Sequence, residues 1–265
     1  MLAIYFSGTG STRHIAELFS QKMDAACLSI EDDADFRAAI KEHDTIAFCY
    51  PIYGSRVPRI MREFVAERMD DIIGKKIVIL ITQFLFSGDG ARVFTDMFQA
   101  GTINVIYAEH FNMPSNMCNF LSRQPSKKRM QRYLDKAEAK MTRVCQNIKN
   151  GVVIRRGFSR FSQILGNIQG RIWQGDSKKD CAPKSALEQK AKSDVKIDED
   201  CTLCNLCALI CPMKNLEIFQ SKIKQNGNCA ACYRCVNQCP RKAISVSGLH
   251  FKPRWQYKGV AREAV

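Results

Sequence analysis

The chain has 265 residues, 40 Lys and Arg against 26 Asp and Glu (a formal net charge of +14), and 13 cysteines. Its amino terminus, MLAIYFSGTG, has no basic stretch or cleavage site, and its longest apolar run, KIVILIT at 76–82, falls far short of the ~20 residues a membrane-spanning helix needs. The start does not read as a signal peptide and no run reads as a membrane span, so the sequence predicts a cytoplasmic chain, where clustered cysteines usually mean metal rather than disulfides.

Short apolar runs at 2–6, 45–50 and 77–82 have the composition of buried strands, with weaker candidates at 25–30 and 103–108. Between them lie helix-like segments: STRHIAELFSQKM at 11–23, VPRIMREFVAERM at 57–69, GARVFTDMFQA at 90–100 and a long one at 127–149. Strand then helix, five times over, predicts an α/β domain with a doubly wound five-stranded parallel sheet over residues 1–150. Ligands of such sheets sit at the carboxyl ends of the strands.

The first of those ends is FSGTGSTRH, residues 6–14. Its glycines let the backbone turn sharply, and Ser7, Thr9, Ser11 and Thr12 offer hydroxyls beside the free N–H groups of a helix start, which suits a phosphate. A Walker loop needs a lysine that is not here, and the dinucleotide fingerprint needs a glycine where Arg13 stands. What remains is a phosphomonoester held by neutral donors, or a plain polar turn from strand to helix.

Two more strand ends follow, CYPIYGSRVP at 49–58 and TQFLFSGDGA at 82–91. Together with FSGTGST they resemble, in order and position, the three flavin loops of the flavodoxins and related FMN proteins. The resemblance implies that Ser7, Gly8, Thr9, Gly10, Ser11 and Thr12 hold the FMN phosphate. It implies that Pro51, Ile52, Tyr53 and Gly54 on one side, and Thr82, Gln83, Phe84, Phe86 and Gly88 on the other, flank the isoalloxazine. Tyr53, Phe84 and Phe86 are the ring-stacking candidates; Tyr53 stands where many flavodoxins carry a tryptophan.

Residues 151–195 fit neither this pattern nor the next. Phe158, Phe161, Leu165, Ile168 and Ile172 recur at three and four, so one helical face is apolar, although Gly166 and Gly170 weaken the helix by ~1 kcal/mol each. The expected role is a helix bridging two domains; the alternative is docking to a membrane surface or a partner. A polar linker containing Cys181 follows.

The last part of the chain carries CTLCNLCALICP at 201–212 and CAACYRCVNQCP at 229–240, two copies of C-x2-C-x2-C-x3-C-P offset by 28 residues. The same offset maps Lys214 onto Lys242 and Leu216 onto Ile244, so the repeat extends beyond the cysteines. Soft thiolates at this spacing suit iron–sulfur clusters, and paired C-x2-C knuckles are also a zinc pattern. The stretch resembles the bacterial two-cluster ferredoxins along its length, which predicts a small α+β domain at 196–250 followed by a basic tail at 251–265. The resemblance implies that Cys201, Cys204, Cys207 and Cys239 hold one [4Fe–4S] cluster, and that Cys229, Cys232, Cys235 and Cys211 hold the second.

The domain order resembles a family of flavodoxin–ferredoxin fusion proteins, which implies electron transfer between FMN, two [4Fe–4S] clusters and a redox partner. The alternative is an FMN-dependent reductase of a small molecule. It needs an acid near the ring, for which Glu109 and His110 at the end of the fifth strand are the candidates. Residues 201–265 carry 10 Lys and Arg against 2 Asp and Glu. No nucleic-acid motif accompanies this charge, whereas an acidic redox partner (a ferredoxin, a flavodoxin or a reductase) would explain it.

Overall fold

The computed structural model describes residues 1–53, 56–118, 123–174, 195–246 and 252–260, with side chains up to residue 168 in the helix that ends at 174. Gly54, Cys181 and the linker around it lie outside the described residues.

Six strands form one sheet in the order β2-β1-β3-β4-β5-β6, every neighbouring pair parallel. They are β1 (Leu2–Tyr5), β2 (Ala26–Ser29), β3 (Thr45–Pro51), β4 (Lys76–Gln83), β5 (Asn104–Asn112) and β6 (Ile154–Arg155). The helices between them are α1 (Ser11–Met23), α2 (Phe36–Lys41), α3 (Arg59–Glu67), α4 (Met69–Ile72), α5 (Arg92–Thr95) and α6 (Lys127–Lys149). Alternate strand residues face opposite layers. Ala3, Ala47, Cys49, Val78 and Leu80 pack with α1 and α6 residues such as Phe19 and Met141. Ile4, Ile46, Phe48, Ile79 and Ile81 pack on the other side with Met61, Phe64, Val65 and Phe94.

The sheet therefore has six strands, not the five expected. The sixth lies in the stretch assigned to the connector, because the chain leaving α6 turns back along β5. There Arg155 donates to the Val105 carbonyl (2.8 Å) and the Arg156 N–H to that of Ala108 (3.1 Å), covering an edge that would otherwise be open. A two-residue strand is too short for any alternation to mark it.

The connector helix, α7 (Arg160–Gln174), also departs from expectation. It packs through its glycine: a Cβ at Gly166 would collide with Asp89, and one at Gly88 with the Gly166 backbone. Its apolar face is left in water, Phe161, Ile164 and Ile168 being 69, 56 and 51% exposed. Among the stripe residues with described side chains, Phe158 alone packs against the core.

In the last part the repeat becomes a pseudo-symmetric body. Strand β7 (Val195–Ile197) pairs antiparallel with β10 (Ile244–Val246), and β8 (Leu216–Phe219) with β9 (Lys222–Gln225). Shifted by 28 residues, β7 falls on β9 and β8 on β10, so each sheet takes one strand from each copy. Two short helices, α8 (Leu206–Leu209) and α9 (Arg234–Gln238), correspond in the same way. Left-handed residues recur at the same offset: Leu203 and Ala231, Asn205 and Tyr233, Lys214 and Lys242.

This body shares the core of the sheet. Leu216, Cys232, Tyr233, Val236 and Ile244 belong to the same buried cluster as Ile4 and Phe48. Segment 252–260 returns across the junction, where Tyr257 N–H donates to Asn237 (2.6 Å) and Arg13 to the Val260 carbonyl (3.1 Å).

Candidate functional site

The carboxyl ends of β1, β3, β4 and β5 open into one cleft of about 690 Å3, counted with its open mouth. That size is ordinary for a cofactor site. Ser7, Gly8, Thr9, Ser11 and Thr12 form one end. Gly10, at a φ of +97° that glycine alone adopts freely, caps α1 and donates to Ser7 Oγ at 3.0 Å. It shapes the loop without lining the cleft. The amino end of a 13-residue helix, with the free N–H groups of its first turn, thus opens among four hydroxyl-bearing residues, Ser7, Thr9, Ser11 and Thr12. Thr12 Oγ1 and Thr82 Oγ1 are 2.7 Å apart, tying this loop to β4, while Ser11 Oγ meets the Tyr257 hydroxyl at 2.9 Å.

Pro51, Ile52 and Tyr53 line the middle of the cleft, with Thr82, Gln83 and Phe84 beside them. Tyr53 is buried. Gln83 Oε1 is buried with no partner among the described residues, an acceptor waiting for a donor. Phe86 and Gly88 do not line the cleft: Phe86 is 48% exposed, and Gly88 turns against α7. Past Phe84 the third loop runs toward the connector helix, whose glycine contact holds it there.

Two groups of lining residues escaped the sequence reading. Met113, Pro114, Ser115, Asn116 and Met117, after β5, form one wall. Ala231 and Tyr233, between cysteines of the second run, form another. The approach is close enough that a Cβ on Gly8 would lie 2.7 Å from the Cys232 carbonyl oxygen. Pro114 ending a strand was the one local signal for the first group; nothing local marks the second.

The eight clustered cysteines divide between two cavities. Cys201, Cys204, Cys207 and Cys239 line one, and Cys211, Cys229, Cys232 and Cys235 the other. The last cysteine of each run has crossed to the opposite cavity. Backbone N–H groups donate to these sulfurs: Asn215 to Cys211 (3.3 Å) and Ala243 to Cys239 (3.4 Å), at equivalent places in the two copies, and Ala231 to Cys229 (3.4 Å). Burial raises the pKa of Cys207 and Cys232, and that of Cys235 well above the ordinary thiol range, with neighbouring thiols raising Cys235 further. Four ionised sulfurs in such a space need cationic charge among them. Among the described residues no three Cys, His, Asp or Glu converge on one point as a single ion requires; the thiols surround a space instead.

Glu109 and His110 do not face the cleft. Both are buried: Glu109 pairs with Arg156 at 2.6 Å and Lys140 at 3.5 Å, and His110 Nδ1 lies 3.4 Å from Ser87 Oγ. Burial, then the charges of Arg156 and Lys140, push His110 down to about 3.

Residues 2–102 match the family model of the flavodoxin domain, so this part of the chain is flavodoxin-like. A flavodoxin-like domain implies FMN binding. Among solved structures, the Trp repressor binding protein of Bacillus subtilis is 15% identical, with a TM-score of 0.41, over 54% of this chain and 96% of its own. The two-electron reduced flavodoxin of Megasphaera elsdenii is 22% identical, with a TM-score of 0.38, over 53% of this chain and 99% of its own. A flavodoxin from the domain Archaea is 14% identical, with a TM-score of 0.35, over 55% and 97%. No curated protein matches the chain. Among the described residues no helix is long and apolar enough to cross a membrane.

Proposed function

We propose that the chain is a cytoplasmic electron-transfer iron–sulfur flavoprotein, with FMN in the cleft and a [4Fe–4S] cluster in each cysteine cavity. The observation that carries this reading is Tyr233, which lines both the cleft and the cavity of Cys211, Cys229, Cys232 and Cys235. One residue lies between a flavin-sized site and four thiols, so the two sites are side by side, as electron exchange between them requires. FMN exchanges electrons in pairs or singly and each cluster singly, so together they would couple two-electron donors to one-electron carriers.

The residues suit these occupants. The amino end of α1 and the Ser7–Thr12 hydroxyls hold a phosphate; Tyr53, Met113 and Tyr233 offer apolar faces to a planar ring. Four thiols line each cavity, the number an iron–sulfur cube takes, and the last cysteine of each run crosses to the other cavity as in a two-cluster ferredoxin. The described lining is hydroxyl, amide and apolar, without carboxylate, imidazole or ammonium. It is built to hold a flavin rather than to protonate a substrate, which favours electron transfer over small-molecule reduction. The excess of Lys and Arg over residues 201–265 supports an acidic redox protein as partner.

Protein purified without oxygen should contain one FMN, about eight irons and about eight acid-labile sulfides per chain, as two four-iron cubes require. Zinc in place of iron, or half the iron after full reconstitution, would sink the cluster assignment; a chain that retains no FMN would sink the flavin assignment.

A further inference from the structure

Arg234 lies between Cys232 and Cys235 in the chain and lines their cavity, yet its guanidinium reaches into the other half of the molecule. All five of its guanidinium N–H groups are used. Nη2 donates to the Ser7 carbonyl (2.9 Å) and to Glu31 Oε2 (2.6 Å), and Nε to the Gly8 carbonyl (3.1 Å). Nη1 donates to Glu31 Oε1 (2.7 Å) and to the carbonyl of Ile210, the residue before Cys211 (3.0 Å). A bidentate carboxylate and three carbonyls fix this group as firmly as a guanidinium can be fixed.

The two loop carbonyls matter most. In a trans peptide unit the C=O and the following N–H point in opposite directions within one plane. A donor that pulls the Ser7 and Gly8 carbonyls to one side therefore turns the N–H groups of Gly8 and Thr9 to the other. Ser7, Gly8 and Thr9 all line the cleft. The cationic group stands behind the loop, two amides face forward, and the amino end of α1 adds its own N–H groups. Together they favour an anion.

We propose that Arg234 is a positioning residue for the phosphate end of the cleft, through which filling of the Cys211, Cys229, Cys232 and Cys235 cavity tightens the hold on FMN. The inference rests on the flavin and cluster reading above. Arg234 lines the thiol cavity but not the cleft, so it acts on the phosphate end only through the loop carbonyls. Three of the four thiols of its cavity lie within three residues of it or next to Ile210, so whatever orders those thiols orders the guanidinium, and the guanidinium orders the loop amides.

The test compares FMN with riboflavin, which lacks the phosphate. Binding of each to the flavin-stripped, full-length chain is followed by quenching of flavin fluorescence, for the iron-loaded and the chelator-treated protein, with iron content measured in parallel. Iron-loaded wild type should prefer FMN. In Arg234→Ala that preference should fall on the order of tenfold or more, the weight of hydrogen bonds aimed at a charged group, while riboflavin affinity changes little. Arg234→Lys, which keeps the charge but not the fork, should lie between. Removing iron should lower the preference in wild type and leave Arg234→Ala where it was.

An equal loss of both flavins would mean that the variant merely loosens the cleft, and would overturn the proposal. So would an unchanged FMN preference in Arg234→Lys and Arg234→Ala, or a wild-type preference indifferent to iron. Wild type that bound neither flavin would instead remove the flavin reading on which the proposal stands.

Discussion

Asn116 and Cys232 are joined across the two halves: Asn116 Nδ2 donates to the Cys232 carbonyl at 3.1 Å. Asn237 Nδ2 in turn donates to the Asn116 carbonyl at 2.8 Å. The loop after β5 is thereby fastened, by side chain and backbone, to the segment that carries the second thiol cavity. One residue serves as a wall of the cleft and as a strut between the domains.

Replacing Asn116 by alanine should cost about 1 kcal/mol from the side-chain bond, and more if the Cys232 carbonyl is left without a donor. Hydrogen exchange should rise together at 113–118 and 229–237, while the distant α2 stays protected. Exchange that rose at 113–118 alone would mean that the halves are held by other contacts.

Parts of this arrangement were legible in the sequence. Helices α1 and α6 begin and end where the apolar spacing puts them, because their buried faces recur every three to four residues: Ile15, Ala16, Phe19 on one, Ala137, Met141, Val144 on the other. The Ser7–Thr12 loop was legible as a turn from strand to helix because its glycines and hydroxyls are an unusual composition in a few consecutive residues. The Met113–Met117 wall was not, because a loop that lines a cleft with methionine, proline and small polar residues has no period and no diagnostic residue. Arg234 was hidden for a different reason. Within its run it reads as a spacer between cysteines, and its meaning lies in carbonyls more than two hundred residues away. The sixth strand and the exposed face of α7 follow from contacts with β5 and Gly88 that no local pattern encodes.

The buried His110 sets a pH dependence. Its folded-state pKa is held down at about 3, against an ordinary 6.5, by burial first and then by Arg156 and Lys140. The unfolded chain therefore binds the proton more readily. The neutral imidazole contributes stability that is fully present above pH 6.5 and lost as pH falls toward 3, at up to about 1.4 kcal/mol per pH unit. Denaturant midpoints measured from pH 7 to 4 should fall more steeply for wild type than for His110→Gln. Equal slopes would assign acid sensitivity elsewhere.

Cys118 should be chemically silent. It is buried in the shared core, and burial pushes its thiol up to about 11 despite a backbone hydrogen bond and the opposing charges of Lys242 and Lys258. At pH 8 only about a thousandth of it is thiolate, the form that reacts. Iodoacetamide followed by peptide mass spectrometry should leave Cys118 unmodified in the folded protein and modified after denaturation. Rapid labelling of native protein would show that the junction opens.

On α7, substitution should have opposite consequences on its two sides. Changing the exposed Phe161, Ile164 or Ile168 to glutamine should alter stability by no more than about 0.5 kcal/mol each, as surface changes do. Gly166→Ala should cost about 1–3 kcal/mol, because its Cβ would enter Asp89. Thermal unfolding distinguishes the cases. A large loss from the three glutamine variants and none from Gly166→Ala would put the apolar face against the protein after all.

The crossing of Cys211 and Cys239 has a spectroscopic consequence. Cys211 belongs by sequence to the first run, but its thiol lines the cavity with Cys229, Cys232 and Cys235. Its sulfur accepts from Asn215 N–H, as Cys239 accepts from Ala243 N–H in the other cavity, so the two crossed thiols occupy equivalent environments. If each cavity holds a cube, Cys211→Ser should perturb the same EPR signal as Cys232→Ser in reduced protein. Cys239→Ser should group with Cys204→Ser, and double variants within a group should be no worse than additive across one signal while the other persists. Serine retains an oxygen ligand of harder character, so a shifted signal, rather than full loss of iron, is the expected first effect. Grouping of Cys211→Ser with Cys204→Ser would mean that each run holds its own cluster, and that the pseudo-symmetric exchange seen in the strands does not extend to the sulfurs.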